Sequence, residues 1–406
     1  MPVANTPNTE GQATAAGALS HLRVLDLSRV LAGPWASQML ADLGAEVIKV
    51  EHPERGDDTR SWGPPYLADE AGQAVESAYF LCTNRNKKSV ALDMASPQGQ
   101  AQIRAMVAQS DILVENFKVG GLARYGLDYA SLSTLNPRLI YCSITGFGQT
   151  GPYAQRPGYD FMIQGMGGLM SLTGLSDGEE GSGPLKVGVA LTDVLTGLHA
   201  VAGILAAVAW RDKSGEGQHI DLALLDVQVS CLANQALNYL VTGKSPQRLG
   251  NAHPSIVPYQ AFPTADGDMI LAVGNDSQFA SFSRATGNAQ WSLDPRFATN
   301  AARVEHRQAL VPLLRQTTVQ KTTAQWIALL EAANVPCGPI NTLEQVFADP
   351  HVLARGLRVD LPHPVTGTAP AVASPLRLSK TPVQYRHSAP ALGADTEKVL
   401  QQFLQQ

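Results

Sequence analysis

The sequence has few cysteines, and their spacing suggests neither a disulfide framework nor a zinc site. The four cysteines, Cys82, Cys142, Cys231 and Cys337, lie far apart and form no CxxC pair. Widely separated cysteines are typical of reduced thiols in a cytosolic protein. The nine histidines show no HExxH or other ligand spacing, so the sequence predicts no metal site.

An excess of basic residues, usual in proteins that bind nucleic acid, is also missing. The chain has 35 Asp and Glu against 30 Lys and Arg, with a formal net charge of −5 and a pI near 6.0. Nucleic-acid binding is therefore not expected. The first residues lack the basic and apolar segments of a signal peptide, and we interpret 1–18 as a disordered tail.

Long apolar runs are scarce, and only Val194–Trp210 is a candidate membrane span. This run has no charged residue but is slightly short for a span, and it contains Gly197, His199 and Gly203. A chain of 406 residues, 44% of them hydrophobic, has a large core to fill. We therefore predict a buried helix in a cytoplasmic protein that makes no membrane contact.

Glycine motifs for dinucleotides are absent as well. The turn after the first predicted strand, SRVLAGP, has one glycine where a GxGxxG motif would have three, and there is no P-loop. A nicotinamide or flavin site is therefore disfavoured.

The chain does show a regular alternation of predicted strands and helices. Strands are predicted at 22–27, 46–51, 89–94, 111–117 and 139–148, and the main helices between them at 35–43 and 96–109. This alternation predicts an α/β fold with a mostly parallel sheet covered by helices on both faces. Ligands of such sheets bind at the carboxyl ends of the strands.

The later part of the chain predicts a second domain. It contains a hairpin, YQAFPTADGDMILAVG, followed by helices at 277–286, 302–314 and 323–333. We predict a large Rossmann-like domain from 19–217 and 335–406, ending in a helix at 396–405. A smaller α+β domain with its linkers is predicted at 218–334.

One carboxylate, Asp193, lies where a predicted strand, Val187–Leu191, gives way to the long apolar helix. An Asp in this position is often an N-cap, although Thr192 could serve instead. A carboxylate freed from capping could attack an activated acyl group. The residues themselves leave these two roles equally open.

Five motifs are spread over about residues 20 to 400. They are LRVLDLSRVLAGPWASQMLADLGAEVIKVEHPERGDDTR, NRNKKSVALDM, ILVENF, YCSITGFGQTGP and GVALTD. Together they resemble the class III CoA-transferases, also called the CaiB/BaiF or formyl-CoA transferase family. The resemblance implies the CaiB/BaiF CoA-transferase fold in an interlocked homodimer.

The resemblance also assigns the catalytic role to Asp193, because the family's catalytic aspartate lies in a motif matching GVALTD. The implied intermediates are a mixed anhydride and an aspartyl-CoA thioester. Coenzyme A is then substrate and product, and no permanently bound cofactor is needed. The implied CoA contacts are Val30, Leu31, Ala32, His52, Leu92, Asp93, Asn116, Phe117, Arg124, Gly158, Tyr159 and Asp160.

The motifs look most similar to the dicarboxylate branch of the family, which implies succinyl-CoA as donor and glutarate or a similar diacid as acceptor. A second carboxylate on the acceptor needs a cation, and the candidates are Arg29, Arg60 and His253. Oxalate- or carnitine-type transfer is the alternative within the family. Two other functional classes stay open: a 2-methylacyl-CoA racemase on the same fold and a non-catalytic CoA-binding protein.

Overall fold

The computed structural model describes residues 16–404. Most of the tail predicted at 1–18 lies outside these residues. The strands are β1 Arg23–Asp26, β2 Glu46–Glu51, β3 Tyr66–Ala68, β4 Ala74–Ser77, β5 Lys87–Ala91, β6 Ile112–Glu115, β7 Ile140–Thr145, β8 His219–Ala223, β9 Tyr259–Pro263, β10 Asp268–Ala272, β11 Cys337–Pro339, β12 Arg358–His363 and β13 Gly367–Val372.

The helices range from single turns to the 24 residues of α7. They are α1 Ala32–Asp42, α2 Ala78–Leu81, α3 Pro97–Val107, α4 Tyr129–Leu135, α5 Asp160–Met166, α6 Leu169–Leu172, α7 Leu191–Ser214, α8 Leu224–Ser230, α9 Ala233–Thr242, α10 Asp276–Ala285, α11 Asn300–Glu305, α12 Arg307–Thr318, α13 Thr323–Ala332, α14 Leu343–Ala348, α15 Pro350–Ala354 and α16 Thr396–Leu404. Short 3-10 helices span Asp58–Ser61, Ala123–Tyr125 and Ala289–Leu293.

The chain forms two compact units. Of the described residues, the first unit takes in 16–167, Gly188–Leu232 and 354–404. The second consists of Gly168–Val187 and Ala233–Leu353. These bounds differ from the domain limits predicted at 217/218 and 334/335, because β8 and α8 stay with the first unit and the segment before α7 joins the second.

A six-stranded parallel sheet forms the centre of the first unit, with the order β5-β2-β1-β6-β7-β8. If only the strands of this sheet are numbered along the chain, their order across the sheet is 3-2-1-4-5-6, which is the order of dinucleotide-binding folds. The order reverses between β1 and β6, and ligands of such sheets bind outside the strand ends at that point. The predicted parallel sheet is thus observed, with its switch point between β1 and β6.

Two separate hydrophobic clusters cover the two faces of this sheet. One joins α1 and α7 to the sheet through side chains such as Leu40, Ala200 and Ile204. The other joins α3 and α16 to it through side chains such as Ile103 and Phe403. Because both faces are covered, polar side chains of the strands such as Asp26 and Lys49 are buried as well.

The long helix α7 was the candidate membrane span. Among residues 16–404 it is the one helix long and apolar enough to cross a membrane by composition alone, a test that core helices of soluble proteins also pass. One side of it packs on α1 within the core, with Thr196, Ala200 and Ile204 fully buried. This packing is what we expected of a core helix.

The second unit has its own core around an antiparallel sheet, ordered β11-β10-β9. The hairpin predicted from YQAFPTADGDMILAVG is present as β9 and β10. The PCGPI segment was expected to rejoin the large domain, and this is wrong. Its residues form β11, which pairs with β10 because that strand has an open edge.

Three local predictions differ from the structure. Val187–Leu191 is not a strand, and α7 begins at Leu191 itself. A strand is also expected in PLRLSKTP from its alternating apolar residues, and none forms there. The helix predicted at 302–314 is two helices, α11 and α12, separated at His306.

Candidate active site

The candidate site lies at the switch point of the parallel sheet, beyond the ends of β1 and β6. A cavity of about 270 Å³ opens there. Its walls come from the turn after β1, the ENF segment after β6, the segment after β7, and the first turn of α7. These four pieces are separated widely in sequence and meet because parallel strands present their carboxyl ends on one edge.

Asp193 lines this cavity from the third position of α7. The N-cap residue is Ala190, whose methyl side chain cannot accept a hydrogen bond from the helix N-terminus. The carboxylate of Asp160 instead accepts the backbone N–H of Thr192 at 3.0 Å. Asp193 is therefore not the N-cap, and its carboxyl group faces the cavity.

The electrostatic environment makes Asp193 an unusually weak acid. Burial, and then the charge of Asp160, raises the pKa of Asp193 from 3.8 to about 7. Both effects disfavour a negative charge, the first through lost hydration and the second through repulsion. A carboxylate this poorly stabilised is a stronger base and nucleophile than an exposed aspartate.

The segment carrying Asp160 is held by a close backbone crossing. A Cβ atom on Gly158 would lie 2.4 Å from the Cα of Gly146, and a Cβ on Gly146 would lie 2.6 Å from the Cα of Gly158. Two residues with side chains could not pass at this distance. Because neither residue has a side chain, the segment can pass close enough to place Asp160 beside the first turn of α7.

Many of the residues implied by the family resemblance line this one cavity. They are Arg29, Val30, Leu31, Ala32, Asn116, Phe117, Gly158, Tyr159 and Asp193. Asn116 also bonds to Arg29 in both directions, accepting its N–H at 2.9 Å and donating to its carbonyl at 2.7 Å. The two motifs that were expected to bind CoA are thus joined directly.

Five other predicted CoA contacts do not line the cavity. His52 and Asp93 accept backbone N–H groups of Glu54 and Ala95 in local turns. Leu92 is buried in the core, and the guanidinium of Arg124 lies over the ring of Tyr125, 4.5 Å from its centroid. Asp160 is not among the lining residues either, but it acts on Asp193 through its charge and through Thr192.

The three candidate cations for a second carboxylate have different surroundings. Arg29 lines the cavity and pairs loosely with Asp58, at 3.3 Å. The guanidinium of Arg60 is held by two carboxylates, Glu51 at 2.8 Å and Glu76 at 2.7 Å. His253 belongs to the second unit, where its ring meets that of Tyr259 edge-on.

Sequence reasoning missed Lys118 and Tyr79, whereas Arg156 was expected as a substitute for a lysine that the family has at Pro157. Lys118 and Arg156 add two cations to the cavity wall, and the guanidinium of Arg156 lies 4.6 Å from the ring centroid of Tyr153. Tyr79, on α2, has its pKa raised to about 12 by burial and by nearby charges, with Asp193 foremost among them. Lys118 directly follows ENF and could have been found by extending that motif by one residue.

The types of side chain that line the cavity bear on the kind of reaction it could support. Within residues 16–404, no histidine lines the cavity. A racemase would need an acid/base partner, typically a histidine, beside the aspartate. Among the described residues, the cavity wall thus offers Asp193 no histidine partner.

Comparisons with known proteins agree with this geometry. The family model described as CoA-transferase family III matches residues 19–396. Succinate--glutarate CoA-transferase of Agrobacterium fabrum is 52% identical, covering 94% of this chain and 94% of that protein. Human succinyl-CoA:glutarate CoA-transferase is 43% identical, covering 95% of this chain and 86% of that protein.

A solved structure is similar over nearly the same span. The crystal structure of a CAIB/BAIF family protein from Brucella suis superposes with a TM-score of 0.85 at 49% identity, covering 96% of this chain and 100% of that one. Sequence, fold and the position of the cavity carboxylate point the same way. The chain therefore belongs to CoA-transferase family III and is an enzyme of the CoA-transferase type.

Proposed function

We propose that this enzyme transfers CoA from succinyl-CoA to glutarate or a closely similar dicarboxylate. Relatives from Agrobacterium fabrum, mouse and human are named for succinate or succinyl-CoA and glutarate, at 52%, 44% and 43% identity. The observation that carries the proposal is the position of Asp193. Its carboxyl group does not cap the helix and faces a cavity that Arg29, Lys118 and Arg156 also line.

The proposed reaction begins with attack by the Asp193 carboxylate on the thioester carbon of succinyl-CoA. The C–S bond breaks, which gives a mixed anhydride and CoA thiolate. The thiolate then attacks the aspartyl carbon and releases succinate, leaving an aspartyl-CoA thioester. The acceptor carboxylate repeats these steps in reverse order, forming glutaryl-CoA and regenerating Asp193.

This sequence needs neither ATP nor a resident cofactor, since each side of the net reaction has one thioester and one carboxylate. The proposed CoA-binding wall consists of Val30, Leu31, Ala32, Asn116, Phe117, Gly158 and Tyr159. Cations at the wall suit the phosphates of CoA. His52, Leu92, Asp93 and Arg124 would contribute only where a long substrate extends beyond the cavity.

The second carboxylate of the diacid is assigned to Arg29. Its contact with Asp58 is exposed and long, so an incoming carboxylate can displace it at little cost. Arg60 is a poorer candidate, because releasing it would leave buried Glu51 without its partner. His253, the third candidate for binding this carboxylate, belongs to the second unit.

We also propose that the enzyme is a cytoplasmic homodimer, with interlocked chains as the family resemblance implies. All four cysteines are free thiols, which suits a reducing compartment. The helix α9 contains no buried residue, and its apolar side chains Leu237, Leu240 and Val241 are each more than half exposed. Apolar side chains in such a row are expected to have a protein partner.

The decisive experiment is acyl exchange with succinyl-CoA and isotopically labelled glutarate. Asp193→Asn should lower the transfer rate by at least about a thousandfold, because the amide is a poor nucleophile. Asp226→Asn, an exposed position on α8 outside the cavity, is the matched control and should retain wild-type rates. Intact-mass measurement should show a CoA adduct on the wild type that Asp193→Asn lacks.

The acceptor is tested in the same assay by a panel of labelled acids. Glutarate and similar diacids should react faster than monocarboxylates and oxalate. Comparable exchange by Asp193→Asn would refute the nucleophile. Proton exchange at the α-carbon in deuterated water, without acyl transfer, would instead identify a racemase.

A further inference from the structure

The turn from Ser28 to Val30 joins β1 to α1 and contributes to the cavity wall. Val30 has a φ of 70°, in the left-handed region that valine rarely adopts. A branched side chain clashes with the backbone in this conformation. The surroundings must therefore hold the turn in place.

A buried ion pair beneath the turn provides such a hold. The Nζ atom of Lys49 lies 2.8 Å from Oδ2 of Asp57, and both side chains are fully buried. Lys49 also donates to the carbonyl of Ser28 at 2.8 Å. Asp57 accepts the N–H of Val30, at 3.3 Å from each of its oxygens.

Further contacts hold the turn from the strands on either side. Asp26, at the end of β1, accepts the N–H of Ser28 at 2.9 Å. Asn116, after β6, takes both backbone groups of Arg29. Every residue of the turn is thus bonded through its backbone before any ligand is bound.

The ion pair keeps its charges despite burial. Burial favours neutral Asp57, but the charge and hydrogen bond of Lys49, together with two hydrogen bonds from Thr59, outweigh burial and lower the pKa of Asp57. Burial likewise favours neutral Lys49, but Asp57, Asp26 and Glu51 together raise its pKa. Buried ion pairs are costly to assemble and add little stability over apolar replacements, so stability alone does not account for this one.

We propose that Lys49 and Asp57 are positioning residues, which fix the turn Ser28–Val30 in the shape that binds acyl-CoA before the substrate arrives. The inference rests on the function proposed above, because the turn is part of the proposed CoA wall. Neither residue lines the cavity, so both act through the backbone of the turn. Loosening the turn should weaken CoA binding more than it slows later steps.

The variant that tests this is Lys49→Met combined with Asp57→Asn, which removes both charges and leaves neither buried charge alone. The matched control is Arg85→Met combined with Asp42→Asn. That pair is also buried, with a contact of 2.6 Å, and it does not touch the turn. The measurements are the Kd of CoA, the KM values of both substrates, kcat, and the thermal midpoint.

We expect the Lys49/Asp57 variant to raise the Kd of CoA and the KM of succinyl-CoA by about tenfold or more. The KM of glutarate should rise as well, because the loosened turn carries Arg29. The Arg85/Asp42 control should lose stability to a similar degree yet bind CoA as the wild type does. Equal CoA affinity in the two variants would overturn the positioning role. So would a defect confined to stability.

Hydrogen exchange on the unmodified enzyme tests the same idea if the variant does not fold. In the absence of CoA, the amides of Arg29 and Val30 should already exchange slowly, and CoA should slow them only a little further. Fast exchange that CoA suppresses would show that the turn is not preorganised. A wild-type enzyme that binds CoA and transfers it, yet shows such exchange, would refute this inference alone. An enzyme that binds no CoA would refute the proposed function as well.

Discussion

At the scale of single residues, two carboxylates that face the same helix terminus divide the work. Asp160 accepts the backbone N–H of Thr192, whereas within residues 16–404 no hydrogen-bond donor stabilises a charge on Asp193. One carboxylate therefore holds the helix and raises the pKa of the other. Such separated environments are how a protein gives different roles to identical side chains.

This arrangement predicts the pH dependence of transfer. Because the pKa of Asp193 is raised to about 7, its carboxylate is mostly protonated below that pH and cannot attack. The value of kcat/KM should rise about tenfold per pH unit at acid pH and level off above about 7.

The variant Asp160→Asn isolates the charge effect, since the asparagine oxygen can still accept the N–H of Thr192. Loss of the negative charge should shift the acid limb of the profile to lower pH by about one unit. The control Asp226→Asn should leave the profile in place. An unshifted limb in Asp160→Asn would mean that burial alone sets the pKa of Asp193.

At the scale of elements, the crossing of Gly146 and Gly158 determines how close the Asp160 segment comes to α7. A methyl group on Gly158 would meet the Cα of Gly146 at 2.4 Å, so the two backbones would have to separate. Gly158→Ala should therefore lower kcat/KM by about a hundredfold and reduce thermal stability.

The control for this change is Gly267→Ala, in the turn of the β9–β10 hairpin. A Cβ there meets nothing within 4 Å and the backbone is not in the left-handed region. Steady-state kinetics with succinyl-CoA and a thermal melt would compare the two variants. Wild-type activity in Gly158→Ala would show that the crossing is not needed to position Asp160.

The elements themselves were predictable where local signals agreed. β2 has the bounds expected from its branched residues, and α3 begins at Pro97 with the hydroxyl of Ser96 accepting the N–H of Gly99. The strand predicted at Val187–Leu191 is wrong, because branched residues favour a strand only where a partner strand is available. The sheet takes its sixth strand from His219–Ala223 instead.

Parts of the site were not predictable for a related reason. Lys49 occupies an alternate polar position of β2, a pattern that normally indicates a solvent-facing side chain. Here both faces of the sheet are covered, so Lys49 is buried and finds Asp57 in the loop that follows. Pairings of this kind depend on the tertiary structure, whereas Asp193 and the ENF motif could be found from the sequence through the family resemblance.

At the scale of the whole molecule, the proposed dimer makes a prediction about α9. The side chain of Leu240 is 71% exposed, on a helix without any buried residue. If a second copy of the chain covers this helix, Leu240→Glu would bury a charge without a partner, which is strongly unfavourable. The variant should therefore show a smaller dimer fraction by light scattering coupled to size-exclusion chromatography.

Leu293→Glu is the matched control, since Leu293 is 80% exposed at the end of a short 3-10 helix. Exposed single leucines are common on protein surfaces, and this variant should remain as dimeric as the wild type. Interlocked chains add a second expectation: differently labelled wild-type dimers should not exchange subunits until they are unfolded. Rapid exchange under native conditions would argue for a dimer that is simply docked, and a monomeric wild type would remove the proposed assembly altogether.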